Sequence, residues 1–234
     1  MMINKNFKLV RTKQCAKCPW KVSTDPHDIP GGYCEIKHAN LSNTIANEGE
    51  FNPGWSTFIQ SGADMSFVIT DSDPAAQGAK YYDMGGTVDW DWLLGLIDIP
   101  GSAYGATTFN LNSNPNNVYF NVMLSKIPGL NNGLVLFQFR EDDNGDGVYT
   151  DGEEDLFSIQ VALNNNDGWQ LISSKYADMP TLINGVAADP IGNGIYEPEK
   201  LIQVSVLMLA NPVSGYAQAY MDLMLFTENQ PFKP

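Results

Sequence analysis

From residue 55 onward, short apolar and alternating runs are separated by clusters of Gly, Asn and Asp, the pattern of strands broken by tight turns. The runs predict strands over Ser66–Thr70, Lys80–Asp91, Thr107–Leu111, Val118–Lys126, Leu134–Glu141, Leu156–Leu163, Trp169–Ser174, Leu201–Leu209 and Gln218–Thr227. Asn132-Gly133, Asp146-Gly147, Asp167-Gly168 and Gly192-Asn193-Gly194 stand between them as turn signals. Eight or nine antiparallel strands fit a β-sandwich or jelly roll. One short helical candidate lies around Glu197 to Leu201.

Composition divides this picture in two. Before residue 49 seven bases face four acids, a net of +3; after it six bases face 23 acids, a net of −17. All three Cys and both His also lie in the first part. A break in charge and residue chemistry at one place predicts two units, 1–48 and 49–234, joined near Glu48-Gly49-Glu50-Phe51. No apolar run approaches the roughly 20 residues of a membrane helix, and no apolar segment follows the N-terminal lysines, so neither membrane insertion nor a secretion signal is expected. The acidity of 49–234 argues against nucleic acid as its partner.

The first unit carries Cys15-x2-Cys18-x15-Cys34-x3-His38, with His27 between the pairs. A C-x-x-C turn can aim two thiolates at one tetrahedral ion and a later pair can close the site, which makes these four residues candidate zinc ligands. A unit this small has little core, so a metal would supply what burial cannot. A redox pair and three free thiols are the alternatives. Cys15-Ala16-Lys17-Cys18-Pro19-Trp20 and the Asp25-Pro26-His27-Asp28-Ile29-Pro30-Gly31-Gly32-Tyr33 segment resemble the start of a family of small phage-encoded CxxCPW proteins. That family has further Cys and His residues in its second half, and this chain has none after His38.

In 49–234 the lack of His and Cys excludes Ser-His and Cys-His nucleophilic catalysis within this unit. A two-carboxylate glycosidase stays open, since 23 acids supply many pairs. The sharpest motif is Asp142-Asp143-Asn144-Gly145-Asp146-Gly147-Val148-Tyr149-Thr150-Asp151-Gly152-Glu153, which fills D-x-N-x-D-G-x5-E. Asp142, Asn144, Asp146, the Val148 carbonyl and Glu153 are thereby candidate calcium ligands in a hairpin without flanking helices. An acidic, solvated hairpin tip is the alternative. Aromatics could offer flat faces to sugar rings, and the loop residues Tyr104, Tyr196 and Tyr216 are better placed for this than strand aromatics such as Trp90 and Trp92.

Gly168-Trp169-Gln170-Leu171-Ile172, Gly192-Asn193-Gly194-Ile195-Tyr196-Glu197-Pro198 and Ala219-Tyr220-Met221-Asp222-Leu223-Met224 are similar to the second half of galactose-binding-like jelly rolls. These occur as carbohydrate-binding modules and in bacterial surface lipoproteins for glycan uptake. The resemblance implies a non-catalytic domain binding polysaccharide or oligosaccharide, and it places Asp222 where such folds often have an acid that helps hold a structural calcium. A structural or adhesive domain that contacts protein is the second function class. The resemblance also implies export, whereas free thiols imply a reducing compartment; a fusion of two unrelated units would reconcile them.

Overall fold

The computed structural model describes residues 44–46, 53–71, 75–76, 80–88, 93–125, 134–162, 168–183, 186–210 and 216–233. The chain divides into a unit of residues 1–42 with 233–234 and a unit Asn43–Phe232. The Cys15, Cys18, Cys34 and His38 cluster and the Trp90/Trp92 pair lie outside the described residues.

The second unit is two antiparallel sheets and a small hairpin. One sheet runs in the order β3 (Ala63–Thr70), β4 (Tyr81–Val88), β13 (Tyr216–Glu228), β6 (Val118–Ser125), β9 (Gln170–Lys175), with β1 (Thr44–Ala46) alongside the second half of β13. The other runs β2 (Ser56–Ile59), β5 (Leu93–Pro100), β12 (Leu201–Leu209), β7 (Leu134–Glu141), β8 (Leu156–Ala162). Leu182–Ile183 and Val186–Ala187 form β10 and β11. The expected mainly β sandwich is thus the observed architecture. β1 shows that its first sheet already begins at Thr44.

Alternation explains the layers. Val135, Phe137 and Phe139 of β7 and Val204, Val206 and Met208 of β12 face Phe120 and Val122 of β6 and Met221, Met224 and Phe226 of β13 in one core. Phe120 stands 5.1 Å from Phe137, 4.9 Å from Phe139 and 5.6 Å from Phe226 between ring centroids, in tilted or edge-on contacts. The other face of the β2–β8 sheet is outward, and one half of it holds a smaller apolar cluster of Leu136, Leu207 and Leu209.

The structure departs from the sequence expectation at several elements. The strand expected over Lys80–Asp91 ends at Val88 as β4, and β5 over Leu93–Pro100, like β1, β2, β10 and β11, is a strand the sequence reading does not contain. Thr107–Leu111 is irregular: Leu111 is buried and Phe109 packs on the core as a strand would require, yet Asn110 has φ of 53°, which breaks an extended run. The helical candidate near Glu197 is a single 3-10 turn, Pro198–Lys200, started by Pro198.

At one end of the sandwich the chain segments 101–109, 142–155 and 190–200 meet. Phe109 N donates to Leu201 O (3.0 Å), Asp142 N to Lys200 O (3.0 Å) and Glu141 N to Asp155 O (3.1 Å). Register shifts between Leu201 and Gln203, so Leu201 and Val204 both enter the core while Gln203 turns outward.

Candidate functional site

Two groups of side chains flank this end, one facing outward and one inward, because β7 alternates as it reaches the acidic loop. Gln138 and Arg140 point outward; Phe139 and Glu141 point in.

The outward group is a polar strip across three strands. Register sets Asp98 of β5, Ser205 of β12 and Gln138 of β7 in one row, and Gln203 and Arg140 in the next. Gln203 Nε2 donates to Asp98 Oδ1 (2.8 Å) and to Ser205 Oγ (3.1 Å), and Arg140 Nη2 donates to Gln138 Oε1 (3.0 Å). Arg140 Nη1 also donates to Ser205 Oγ, whose hydroxyl donates to Asp98 Oδ1, and Nη1 lies 3.6 Å from that same oxygen. Tyr149 reaches back from the acidic loop and stacks on the guanidinium, with Cζ 5.4 Å from the ring centroid. The Arg140 and Asp98 side chains keep 17% and 30% of their surface exposed. The strip is therefore a row of mutually bonded donors and acceptors with an aromatic ring beside it, half-exposed at Asp98, Gln138, Arg140 and Gln203 and closed at Ser205, which is fully buried.

The acidic loop is a series of side-chain-to-backbone turns. Asp142 Oδ1 accepts from Gly145 N (2.8 Å) and Asp146 N (3.1 Å), and its Oδ2 from Gly147 N (2.7 Å). Asn144 Oδ1 accepts from Asp146 N (2.8 Å), and Asp146 Oδ1 from Val148 N (2.9 Å). Gly147 has φ of 85°, the left-handed bend the template needs from glycine at that position. Glu153 is exposed; Glu154, 2% exposed, turns back into the loop and accepts from Thr150 N (2.6 Å) and Asn144 N (3.4 Å). Asp142, Asn144, Asp146 and Val148 thus share one loop, with Glu154 in the inward place expected of Glu153. Asp222 is elsewhere: it is buried in β13 opposite Met123, beside the register shift where Leu223 has φ of 43°.

The inward group was not anticipated. Glu141, Asp143 and Asp155 bring one oxygen each within 4.8 Å of one another. The 190–197 segment is wrapped on them through its amides: Gly192 N and Gly194 N donate to Asp155 (3.1 and 2.8 Å), Asn193 N to Asp143 Oδ2 (3.3 Å), and Glu197 N to both oxygens of Glu141 (3.0 and 3.1 Å). Burial pushes the Glu141 carboxyl up to about 8, and the charges of Asp143 and Asp155 add to this against the pull of Tyr176 and the Glu197 amide. Burial likewise raises Asp143, with the charge of Asp155 adding to it. Lys200 Nζ spends its charge on Glu197 (2.9 Å) and the Asp143 carbonyl (3.2 Å).

The three tyrosines chosen from sequence lie apart. Tyr104 is 38% exposed, accepts from Trp55 Nε1 (3.0 Å) and leans on Phe109. Tyr196 is stacked on Phe157 at 4.2 Å and donates to Met179 O (2.7 Å), so one ring face and its hydroxyl are taken. Tyr216 opens β13 in the other sheet and donates to Gln218 Oε1.

No protein-family model matches the chain, and no curated protein matches it. Its fold is similar to solved carbohydrate-binding modules. A family 30 module aligns with a TM-score of 0.54 at 11% identity, covering 82% of this chain and 89% of that one. A family 11 module of a cellulosomal cellulase of Clostridium thermocellum aligns at 0.52 and 12% identity over 79% and 93% of the two chains. The family 11 module from the same organism in complex with a β-1,3-1,4-mixed-linked tetrasaccharide aligns at 0.51 and 14% identity over 79% and 94%. At these identities the likeness is one of fold.

Proposed function

We propose that this protein binds a polysaccharide or oligosaccharide without catalysis, on the outward face of the β2–β8 sheet. The observation that carries this is the Asp98–Ser205–Gln203–Arg140–Gln138 network with Tyr149 stacked on the guanidinium. Sugar hydroxyls need donors and acceptors fixed in a row, and ring faces need an aromatic surface. The strip offers both, and the fold it lies on is one that carbohydrate-binding modules share. Tyr149 is one of the aromatics the sequence offers for a sugar face, though not one of the preferred three, Tyr104, Tyr196 and Tyr216.

Within this function the acidic loop is the proposed calcium element, through Asp142, Asn144, Asp146, the Val148 carbonyl and Glu154. Asp222 is a separate acid proposed on the resemblance alone. Cys15, Cys18, Cys34 and His38 remain the proposed zinc ligands of the first unit. Catalysis by two carboxylates has less support: the one close trio of acids among the described residues is buried or half-buried and tied to backbone amides.

Titration of the full chain with soluble mixed-linkage β-glucan, xylan and xyloglucan tests the proposal. Arg140→Ala should weaken whichever is bound by about 10- to 100-fold, the worth of one or two charge-assisted hydrogen bonds. Failure to bind any polysaccharide, together with a stable oligomer on gel filtration, would mark a protein-contact domain instead.

A further inference from the structure

We propose that Glu141, Asp143 and Asp155 hold a calcium ion at the end of the sandwich, separate from any ion in the Asp142–Glu154 turn. The two sets of oxygens come from alternate residues: 142, 144 and 146 serve the loop, whereas 141 and 143 continue the inward phase of β7 and meet Asp155 from the start of β8. Opposite oxygens around calcium at 2.3–2.6 Å stand about 4.6–5.2 Å apart. Three carboxylate oxygens within 4.8 Å of one another can therefore share one such ion.

Acids gathered in this way are not by themselves a site, and the surroundings supply an independent observation. Tyr176 is fully buried, and its hydroxyl points to Glu141 without a well-formed hydrogen bond to any partner. Asp143 Oδ1 and Glu199 Oε2 are likewise buried oxygens with no donor, and Glu199 is close enough for its charge to bear on the Tyr176 phenol. Buried oxygens are normally satisfied. Two that are not, the Tyr176 hydroxyl beside Glu141 and Asp143 Oδ1 within the trio, at carboxylates that have no Lys or Arg within 4.0 Å among the described residues, are what a hard cation would satisfy. Neighbouring amides already fix the carboxylates: the 190–197 segment holds one or both oxygens of each acid and leaves Asp143 Oδ1 free. An ion there would clamp β7, β8 and the 190–197 segment together whether or not the outward face takes a glycan.

The test is calorimetric titration of the full chain with calcium chloride after chelator treatment. The unmodified protein should take at least two equivalents. Asp143→Asn, which keeps acceptors for the Asn193 and Asp155 amides, should take one fewer; Asp146→Ala should take one fewer; the double variant should take two fewer. Glu141→Gln reads the same loss should Asp143→Asn fail to fold by near-ultraviolet circular dichroism. An Asp143→Asn protein that binds as many equivalents as the unmodified one would overturn the proposal. So would a double variant that loses no more than Asp146→Ala alone, since the acids would then share a single ion. Loss in Asp143→Asn with none in Asp146→Ala would uphold this site and remove calcium from the turn.

Discussion

Gly192→Ala is a small change whose cost can be worked out from its surroundings. A Cβ at 192 would stand 2.1 Å from Asp143 Oδ2, 2.5 Å from Asp155 N and 2.8 Å from Glu154 C. The carboxylate could swing aside, but the backbone at 154–155 cannot, because Asp155 O is held by Glu141 N. The 190–197 segment must therefore lift. Lifting breaks the bonds from Gly192 N and Gly194 N to Asp155, which is fully buried, and from Asn193 N to Asp143. Hydrogen bonds to charged groups contribute about 1.5–3 kcal/mol each. Loss of the two on Asp155 alone costs about 3–6 kcal/mol, a large share of the roughly 5–15 kcal/mol that stabilises a typical domain. Gly194→Ala is the control. Its φ of 72° makes alanine strained, but the nearest atom to its Cβ is Pro190 Cβ at 3.4 Å, so it should cost only about 1–2 kcal/mol. Guanidinium unfolding of both variants, with the slope unchanged, reads the difference. Equal midpoints for the two variants, or a Gly192→Ala loss below about 1 kcal/mol, would refute the idea that the 190–197 segment is locked on the carboxylates.

Two further outcomes are expected. In chelator, Glu141 retains its proton in the folded protein up to about pH 8 while the unfolded chain loses it near 4.5. Folding then binds a proton across that window, so stability should fall as pH rises from about 4.5 to 8 and level off above. The drop is on the order of 5 kcal/mol at about 1.4 kcal/mol per pH unit, and Glu141→Gln should flatten it. A profile of melting temperature against pH, identical for both proteins, would show that Glu141 ionises normally. Separately, elemental analysis of protein purified without chelator should find about one equivalent of zinc, lost in Cys15→Ser; metal-free protein would leave the thiols unligated.

Most long strands were legible as apolar runs: Leu134–Glu141 and Leu201–Leu209 stand where the sequence reading has them, whereas the eight-residue β5 was missed because Gly95, Asp98 and Pro100 interrupt its run. Short elements left no such trace. All four residues of β2 are exposed, and β10 and β11 have two residues each, too few to show a period. The polar strip draws on positions 98, 138, 140, 203 and 205, which only register brings together. Its trace in the sequence is one polar residue breaking each apolar run, Asp98 in Leu93–Pro100 and Ser205 in Leu201–Leu209. The calcium template itself hid the second acid group, since it counts the phase of Asp142, Asn144 and Asp146 and passes over Glu141 and Asp143. The template's closing position is Glu153, and the loop's inward acid is its neighbour Glu154. Gly152 has φ of 83° and Glu153 N bonds back to Thr150 O (3.2 Å), a turn that leaves Glu153 in solvent and aims Glu154 inward.

The loop and the strip meet in one residue, and that makes their connection measurable. Tyr149 belongs to the loop by sequence and to the strip by contact, through its ring on Arg140. If an ion holds the Asp142–Glu154 turn, it also holds the aromatic face against the guanidinium. Removing the ion should then free Tyr149 and weaken glycan binding, although no ligand of the ion touches the glycan. A stacked cation–π contact and a ring face on a sugar together are worth about 1–2 kcal/mol, so chelator should lower affinity roughly 5- to 30-fold. Tyr149→Ala should cost about the same, and in that variant chelator should do nothing more, because the two changes remove one interaction. Calorimetry of the four states of this cycle, in one buffer with and without calcium, separates the cases. A chelator effect that persists undiminished in Tyr149→Ala would mean that the ion supports binding through the fold as a whole, and the link from loop to strip through Tyr149 would be wrong.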